Sequence, residues 1–162
     1  MQNWQSVEEA LHHRSVTDVL VPGLIDRDPG SVPVFRPHPT VVHVVLDTGA
    51  LRLESAFHSN QLTVTSTDSV SLGGVEFFER AAAEADDEIA QMSWGEQLFG
   101  DGWSQLRCTA IRPYSGGGAD LAKGVLQGLA LELESRYWLF FDPGWTFGIR
   151  IGNAEDMRRW ES

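Results

Sequence analysis

The chain contains one eleven-residue pattern twice, at an interval of eighty residues. Residues 45–55 read VLDTGALRLES and residues 125–135 read VLQGLALELES, and seven of the eleven positions are identical. The interval is close to half of the 162-residue length. The match predicts either two related β-hairpin units, starting near residues 41 and 121, or two hairpins that converge on one binary pattern. Both interpretations place strands at both sites, because leucine alternating with polar residues is typical of an amphipathic strand.

Length and charge limit the class of protein and the kinds of partner. A chain of 162 residues is typical of a single domain, so we predict one globular unit over residues 1–162. The formal net charge is −11, which argues against nucleic acid and anionic membranes as partners because both are negatively charged. An acidic surface favours a basic partner, and the alternative interpretation is that the charge only keeps the protein soluble.

The N-terminal residues and the cysteine content indicate the compartment. Cys108 is the only cysteine, so no intramolecular disulfide and no cysteine metal cluster is expected. The first thirteen residues lack the basic and apolar regions of a signal peptide, and no apolar run is long enough to span a membrane. Arginine greatly outnumbers lysine, a bias typical of high-GC bacterial proteins. We therefore expect a soluble cytoplasmic protein.

Hydrophobic periodicity predicts the elements of the first half. Ser6 and Glu9 form a potential capping box for a short helix through Arg14. A strand is expected at 16–21, an extended loop over residues 22–40 because five prolines fall there, and a hairpin at 41–58 around an Asp47-Thr48-Gly49 turn. A third strand surrounds Leu62 and Val64.

The second half is predicted to combine one long helix with further strands. Apolar residues at three- and four-residue spacing predict a helix over residues 75–92, followed by a glycine-punctuated loop over 93–104. Strands are expected at 106–112, 125–135, 137–141 and 147–151, with a tight turn at 142–145 and a closing helix at 154–160 capped by Asn153. The predicted fold class is α+β: an antiparallel β meander packed by one long helix, with short terminal helices.

No catalytic or cofactor motif stands out. His43 and His58 lie on the same predicted hairpin as Asp47, but they are at different distances from the turn and are better explained as solvated or hydrogen-bonded histidines. The glycines at 116–118 fit neither nucleotide-binding template, and Cys108 has no neighbouring histidine to activate it. We predict no metal site, no cofactor and no assigned catalytic residue, and the question of enzymatic activity stays open with a preference against it.

Acidic and aromatic residues are the best candidates for a contact surface. The predicted long helix has an acidic face, and the predicted loops contain several tryptophans, which are frequent interface anchors. The candidate partner-binding residues are Glu76, Glu84, Asp87, Glu88, Trp94, Trp103 and Trp145. The alternative interpretation is that the acidic face is merely solvated and that about half of the tryptophans cover the ends of the core.

The C-terminal region also carries a family resemblance. Residues 129–152 read LALELESRYWLFFDPGWTFGIRIG, which resembles the endings of small acidic immunity proteins of bacterial polymorphic-toxin systems and of uncharacterised β-rich domains of high-GC bacteria. The resemblance implies a cytosolic protein that binds and blocks a basic toxin, with no catalytic residues to assign. Two alternatives remain: a small-ligand or enzymatic site over the aromatic strands at residues 137–147, and a homodimer that uses the exposed aromatic face.

Overall fold

A computed structural model describes residues 3–27, 30–56, 60–84, 88–100, 105–116 and 119–162. Within these ranges the helices are α1 (Asn3–His13), α2 (Glu76–Ala83), α3 (Gly95–Phe99) and α4 (Ala154–Glu161). The strands are β1 (Ser15–Asp26), β2 (Val34–Pro37), β3 (Val41–Leu46), β4 (Ala50–Ala56), β5 (Gln61–Thr67), β6 (Glu88–Ser93), β7 (Leu106–Tyr114), β8 (Val125–Leu126), β9 (Gly128–Leu133), β10 (Tyr137–Trp145) and β11 (Gly148–Gly152). All described pairings are antiparallel, so the α+β class is confirmed.

The strands form one sheet that curls back on itself. Their order is β11-β10-β9-β7-β1-β3-β4-β5-β8, while β2 and β6 pair with β1 outside this path. β8 lies at one end of the order and β9 lies near the other, yet only Gln127 separates them along the chain. The two ends of the sheet must therefore meet. Accordingly, β10 packs against β5, and β11 packs against β3 and β4.

The inside of the curl holds the main hydrophobic core. Alternate strand residues point inward, as the two-residue period of a strand requires. The buried strand residues of this core include Val42, Val44, Leu51, Leu53, Leu62, Val64, Leu129, Leu131, Leu133, Leu139, Phe141 and Ile149. Helix α1 packs against β5 and β7 and adds Trp4, Val7, Ala10 and Leu11 to the same core.

Two helices cover parts of the outer face of the sheet. Val41 of β3 is buried there with Val75 and Phe78 beside α2. Ala130 and Phe140, which point outward from β9 and β10, are buried with Met157 of α4. Each helix thus fixes one small outer cluster, and the surfaces around these two clusters are the candidates for function.

The first predicted hairpin and the closing helix are confirmed. β3 and β4 pair around the turn at residues 47–49, where the Leu46 amide donates to the Gly49 carbonyl at 3.1 Å. The side chain of Asn153 accepts hydrogen bonds from the amides of Glu155 and Asp156, and Asp156 accepts one from the Asn153 amide. This reciprocal cap stabilises the first turn of α4.

The prediction of a single long helix over residues 75–92 is wrong. Helix α2 ends at Ala83, and residues 88–93 form strand β6, which pairs with residues 20–25 of β1. Ile89 does reach the Phe78 cluster, as the helical spacing suggests, but it does so from a strand. The backbone of the second half of β1 needs hydrogen-bond partners, and this requirement outweighs a helical side-chain pattern.

The prediction of a loop over residues 22–40 is also wrong, and the prediction of two related hairpin units is not confirmed. Pro22 lies within β1, where its carbonyl oxygen accepts a hydrogen bond from the His38 amide at 2.8 Å, and residues 34–37 form β2. In the second repeat, β8 pairs with β5, whereas β9 pairs with β7 and β10. The two repeated segments therefore have the same alternation of apolar and polar residues, but only in the first one do the two strands of the segment pair with each other.

Three local boundaries differ from the predictions. Ser6 lies inside α1 instead of capping it, and residues 95–99 of the predicted loop form α3. The predicted turn at residues 142–145 is an irregular continuation of β10, and the chain reverses at residues 146–147. Because Asp142 Oδ1 accepts a hydrogen bond from the Gly144 amide at 2.8 Å, the side chain supports this local bend within the strand.

Candidate functional site

The negative charge of the protein is concentrated in one segment of the chain. Residues 68–101, here called the acidic segment, contain nine acidic residues and a single basic one, Arg80. Residues 105–162 contain seven acidic and seven basic residues. The formal net charge of −11 therefore arises entirely before residue 105. The acidic segment contains α2, β6 and α3, which lie beside β1 and β3.

Glu76 and Glu84 remain available on the surface around α2. The Glu76 side chain is 83% exposed and lies 3.6 Å from Arg80, a separation typical of a weak surface ion pair. Glu84 is exposed and follows the last residue of α2. Glu79 is partly engaged, since its Oε1 accepts a hydrogen bond from the Gly74 amide at 3.0 Å. Asp87 lies outside the described residues.

Glu88 is already paired, in contrast to the solvated helix face that the sequence predicted. It lies on β6, and Arg27 donates to both of its carboxylate oxygens, at 2.6 and 3.3 Å. The hydrogen bond from Arg27 lowers the pKa of Glu88, and the same bond raises the pKa of Arg27. Glu88 is therefore less available to a partner than Glu76 or Glu84.

The three predicted tryptophan anchors have different environments. Trp94 is partly buried against the main core, and its indole Nε1 is buried without a partner among the described residues. Trp103 lies outside the described residues. Trp145 is 42% exposed, and its ring meets that of Phe147, which is 66% exposed, in an edge-to-face contact at 5.1 Å. Residues 145–147 thus form an aromatic tip at the end of the β10–β11 hairpin.

A short connection places the aromatic tip next to the acidic segment. The Ile149 amide donates a hydrogen bond to the Pro39 carbonyl at 2.7 Å, so the start of β11 rests on residues 39–40. On the other side, the His38 ring stacks on Phe77 of α2, with centroids 3.6 Å apart. Residues 38–40 therefore link α2 to the aromatic tip, and both features belong to one stretch of surface.

A polar cleft lies between α4 and the strands β10 and β11. Its first part, of about 160 Å³, is lined by Phe140, Asp142, Arg150, Gly152, Asp156, Arg159 and Trp160. A second part of about 320 Å³ shares Asp142 and Trp160 and adds Asn60, Gln127 and Gly144. A third part of about 280 Å³ shares Asn60 and Gly144 and reaches Ser55 and Trp145. Adjacent parts have lining residues in common, and the three together are called the α4 cleft.

The buried titratable side chains show no activated chemistry. Burial raises the pKa of Cys108 to about 11, and its thiol donates to the Ala110 carbonyl, so the thiolate is disfavoured. His43 is fully buried, and burial together with the charge of Arg52 lowers its pKa to about 4. His58, the other member of the histidine pair considered from sequence, lies outside the described residues.

Searches for other kinds of site and for relatives gave negative results. Within the described ranges, no three histidine, cysteine or carboxylate side chains are grouped so as to hold a metal ion. In the same part of the chain, every helix is too short or too polar to cross a membrane. Comparison of the chain with protein-family models, curated proteins and solved structures found no match. The interpretation of the site therefore depends on its own chemistry.

Proposed function

We propose that this protein is a non-enzymatic interaction module that binds a basic partner protein through the acidic segment. The observation that supports this proposal is the nine-to-one excess of acidic over basic residues in residues 68–101, beside a C-terminal third with no net charge. Such an uneven distribution makes the potential around the acidic segment more negative than elsewhere, so a basic partner would be steered to that surface. An evenly spread charge would not have this effect. The most concrete form of the proposal is an immunity protein that neutralises a basic toxin.

Two physical contributions would act together in this interaction. The acidic segment would attract the partner over about 8 Å at physiological ionic strength, which mainly accelerates association. The aromatic tip would supply apolar contact area, because Trp145 and Phe147 are both exposed and adjacent to that surface. Aromatic side chains are typical energetic anchors in interfaces, whereas exposed charges contribute chiefly to rate and orientation.

Reversal of charge at Glu76 and Glu84 tests the proposal. A partner is first captured from lysate of the source organism with the immobilised full chain at low salt, released at high salt and purified. We expect Glu76→Lys/Glu84→Lys to slow its association about tenfold at low salt, since the change replaces attraction by repulsion. Biolayer interferometry at two salt concentrations gives the rate directly.

The matched control changes the same charge elsewhere. Glu8→Lys/Glu9→Lys alters the net charge equally but lies on α1, outside the acidic segment. If both double variants slow association equally, the effect is due to net charge alone. This result would reject the acidic segment as the contact surface. Size-exclusion chromatography with light scattering, performed on the same samples, shows whether the native mass is twice that of the chain, as the homodimer alternative requires.

The α4 cleft supports a second candidate function, a ligand-binding domain. It opens beside β10, within the residue range 137–147 that the sequence indicated for a ligand site. Its three parts together fall within the range of about 300–1,000 Å³ that is typical of ligand sites. The cleft shares Trp145 with the aromatic tip but none of the residues of the acidic segment, so the two functions can be tested independently at residues other than Trp145.

A further inference from the structure

We infer that the α4 cleft binds a neutral oligosaccharide, an inference that deepens the second candidate function and is independent of the first. The lining combines balanced charges, two partly exposed tryptophans and amide side chains between those tryptophans. Together these features match a ligand with flat apolar faces, many hydroxyl groups and no charge.

The charges that line the cleft cancel. Two carboxylates, Asp142 and Asp156, face two guanidinium groups, Arg150 and Arg159. Asp156 lies 3.7 Å from Arg150 and 3.6 Å from Arg159. Neither separation is a hydrogen bond, and Arg159 Nη2 donates instead to Glu155 at 3.3 Å. The remaining N–H groups of both arginines can still donate to a ligand. A lining without net charge does not favour a phosphate or another strongly charged ligand, but it offers both donors and acceptors to hydroxyl groups.

Tryptophan rings line two places in the cleft. Trp160 lies where the first and second parts adjoin; it is 37% exposed, and its ring is held by Tyr114 at 4.8 Å and Phe140 at 5.5 Å between centroids. Trp145 lines the third part and meets the Phe147 ring edge to face. Both tryptophan rings are partly exposed, and each contacts at least one neighbouring ring. Such a ring presents a rigid flat surface with little loss of side-chain entropy on binding, which suits the C–H face of a sugar ring.

Amide groups occupy the middle of the cleft. Asn60 and Gln127 line its second part together with Asp142. Within the described residues, neither amide side chain hydrogen-bonds to another protein group. An amide offers one acceptor and two N–H donors, a pattern that matches adjacent sugar hydroxyls. Asp142 Oδ1 accepts from the Gly144 amide, and the carboxylate retains further lone pairs for hydroxyl donors.

The length of the cleft favours several sugar units over one. Trp160 lines the second part and Trp145 the third, and these two parts share Asn60 and Gly144, so the inferred ligand must be long enough to contact both rings. A monosaccharide would contact a single ring and leave the remaining lining solvated. The inference therefore names an oligosaccharide as the ligand class.

An array of neutral oligosaccharides tests the inference. The biotinylated full-length chain is assembled on streptavidin, because multivalent presentation makes weak sugar binding detectable. The array carries neutral glucans, mannans, galactans and chitin oligomers, together with sulfated glycans and peptides of similar length. We expect binding to neutral glycans and, by calorimetry with the best of them, a Kd of about 1 mM or below.

Substitutions of lining residues distinguish binding in the cleft from nonspecific adhesion to the protein surface. We expect Gln127→Ala and Trp160→Ala each to weaken calorimetric binding about tenfold. Because Trp160 contacts two buried or half-buried rings, the folding of Trp160→Ala is checked by its melting temperature. If Trp160→Ala unfolds, the test depends on Gln127→Ala alone. Gln5→Ala is the matched control, because Gln5 is also a glutamine but lies exposed on α1, outside the cleft.

Each outcome decides the inference. Binding to neutral glycans that falls with Gln127→Ala and is unchanged by Gln5→Ala supports it. An array without neutral-glycan binding, a preference for sulfated glycans or peptides, or equal loss with Gln5→Ala overturns it. The Glu76→Lys/Glu84→Lys chain should bind glycan normally, and Gln127→Ala should bind the basic partner normally, so failure of one proposal is distinguishable from failure of the other.

Discussion

Acidification from pH 7 to pH 4 should lower the free energy of unfolding by about 3 kcal/mol through His43 alone. Burial lowers the pKa of His43 in the folded state to about 4, from an ordinary value of 6.5. As the pH falls below 6.5, the unfolded chain binds a proton that the folded chain does not accept. The contribution of His43 to stability is therefore fully present above about pH 6.5 and decreases as the pH falls towards 4. It does not change further once the folded chain is protonated as well.

The environment of His43 explains the size of the effect. The ring is fully buried on β3, opposite Arg52 of β4 in the strand register. The Ser71 amide donates a hydrogen bond to His43 Nε2 at 3.4 Å, which requires that this nitrogen carry no proton. Protonation would therefore place a buried cation next to Arg52 and remove the bond that holds the chain before α2. Burial also lowers the pKa of His38, which acts in the same direction.

Chemical denaturation between pH 7.5 and pH 4 measures this prediction. The comparison is between the native chain and His43→Leu, with His12→Gln as a control at an exposed position on α1. We expect the stability curve of His43→Leu to be flatter by about 3 kcal/mol over this interval. Parallel curves for the native chain and His43→Leu would exclude His43 as the source of the acid sensitivity.

Gly148→Ala should cost about 3 kcal/mol or more of folding stability. Gly148 begins β11 with φ at +126°, a conformation that residues with a Cβ rarely adopt. An added Cβ would lie 2.5 Å from the Pro39 carbonyl oxygen and 2.7 Å from its carbon. Both atoms belong to the backbone and cannot rotate away, so β11 or residues 39–40 must shift. The shift would also strain the bond from the Ile149 amide to Pro39.

Gly100→Ala separates the two causes of this effect. Gly100 also has positive φ, at +81°, but nothing lies within 4 Å of an added Cβ. Its substitution should therefore cost only the backbone term of about 1–3 kcal/mol, because φ of +81° with ψ of −175° is a conformation essentially restricted to glycine. Urea denaturation of both variants measures the difference. Equal losses would mean that the contact with Pro39 contributes little to the position of the aromatic tip.

Much of the sheet is predictable because its strands alternate in the sequence itself. Val42 and Val44 of β3 and Leu51 and Leu53 of β4 face one core, and the turn at residues 47–49 joins them locally. The cap of α4 is equally local, because Asn153 bonds to residues only two and three positions later. In both cases the interacting groups are near neighbours, so the pattern and the structure depend on the same short segment.

The helix, the repeat and the cleft could not be derived in this way. Residues 88–93 are a strand because the distant residues 20–25 offer them a hydrogen-bonding edge. The α4 cleft combines Asn60, Gln127, Asp142 and Trp160, which approach one another only when the ends of the sheet meet. Of the candidate site residues, Glu76, Glu84 and Trp145 are exposed, whereas Glu88 is bound by Arg27, sixty-one positions away.

The amino-acid sequence by itself determined the antiparallel α+β class, the first hairpin, the capped final helix and the acidic character of residues 68–101. The tertiary structure alone decided the strand pairings outside the first hairpin, the burial of His43 and the approach of distant segments that line the cleft. The physical reason is the range of the interactions. Side-chain periodicity and capping act over a few residues, whereas strand pairing and burial depend on contacts between residues that are distant in the chain.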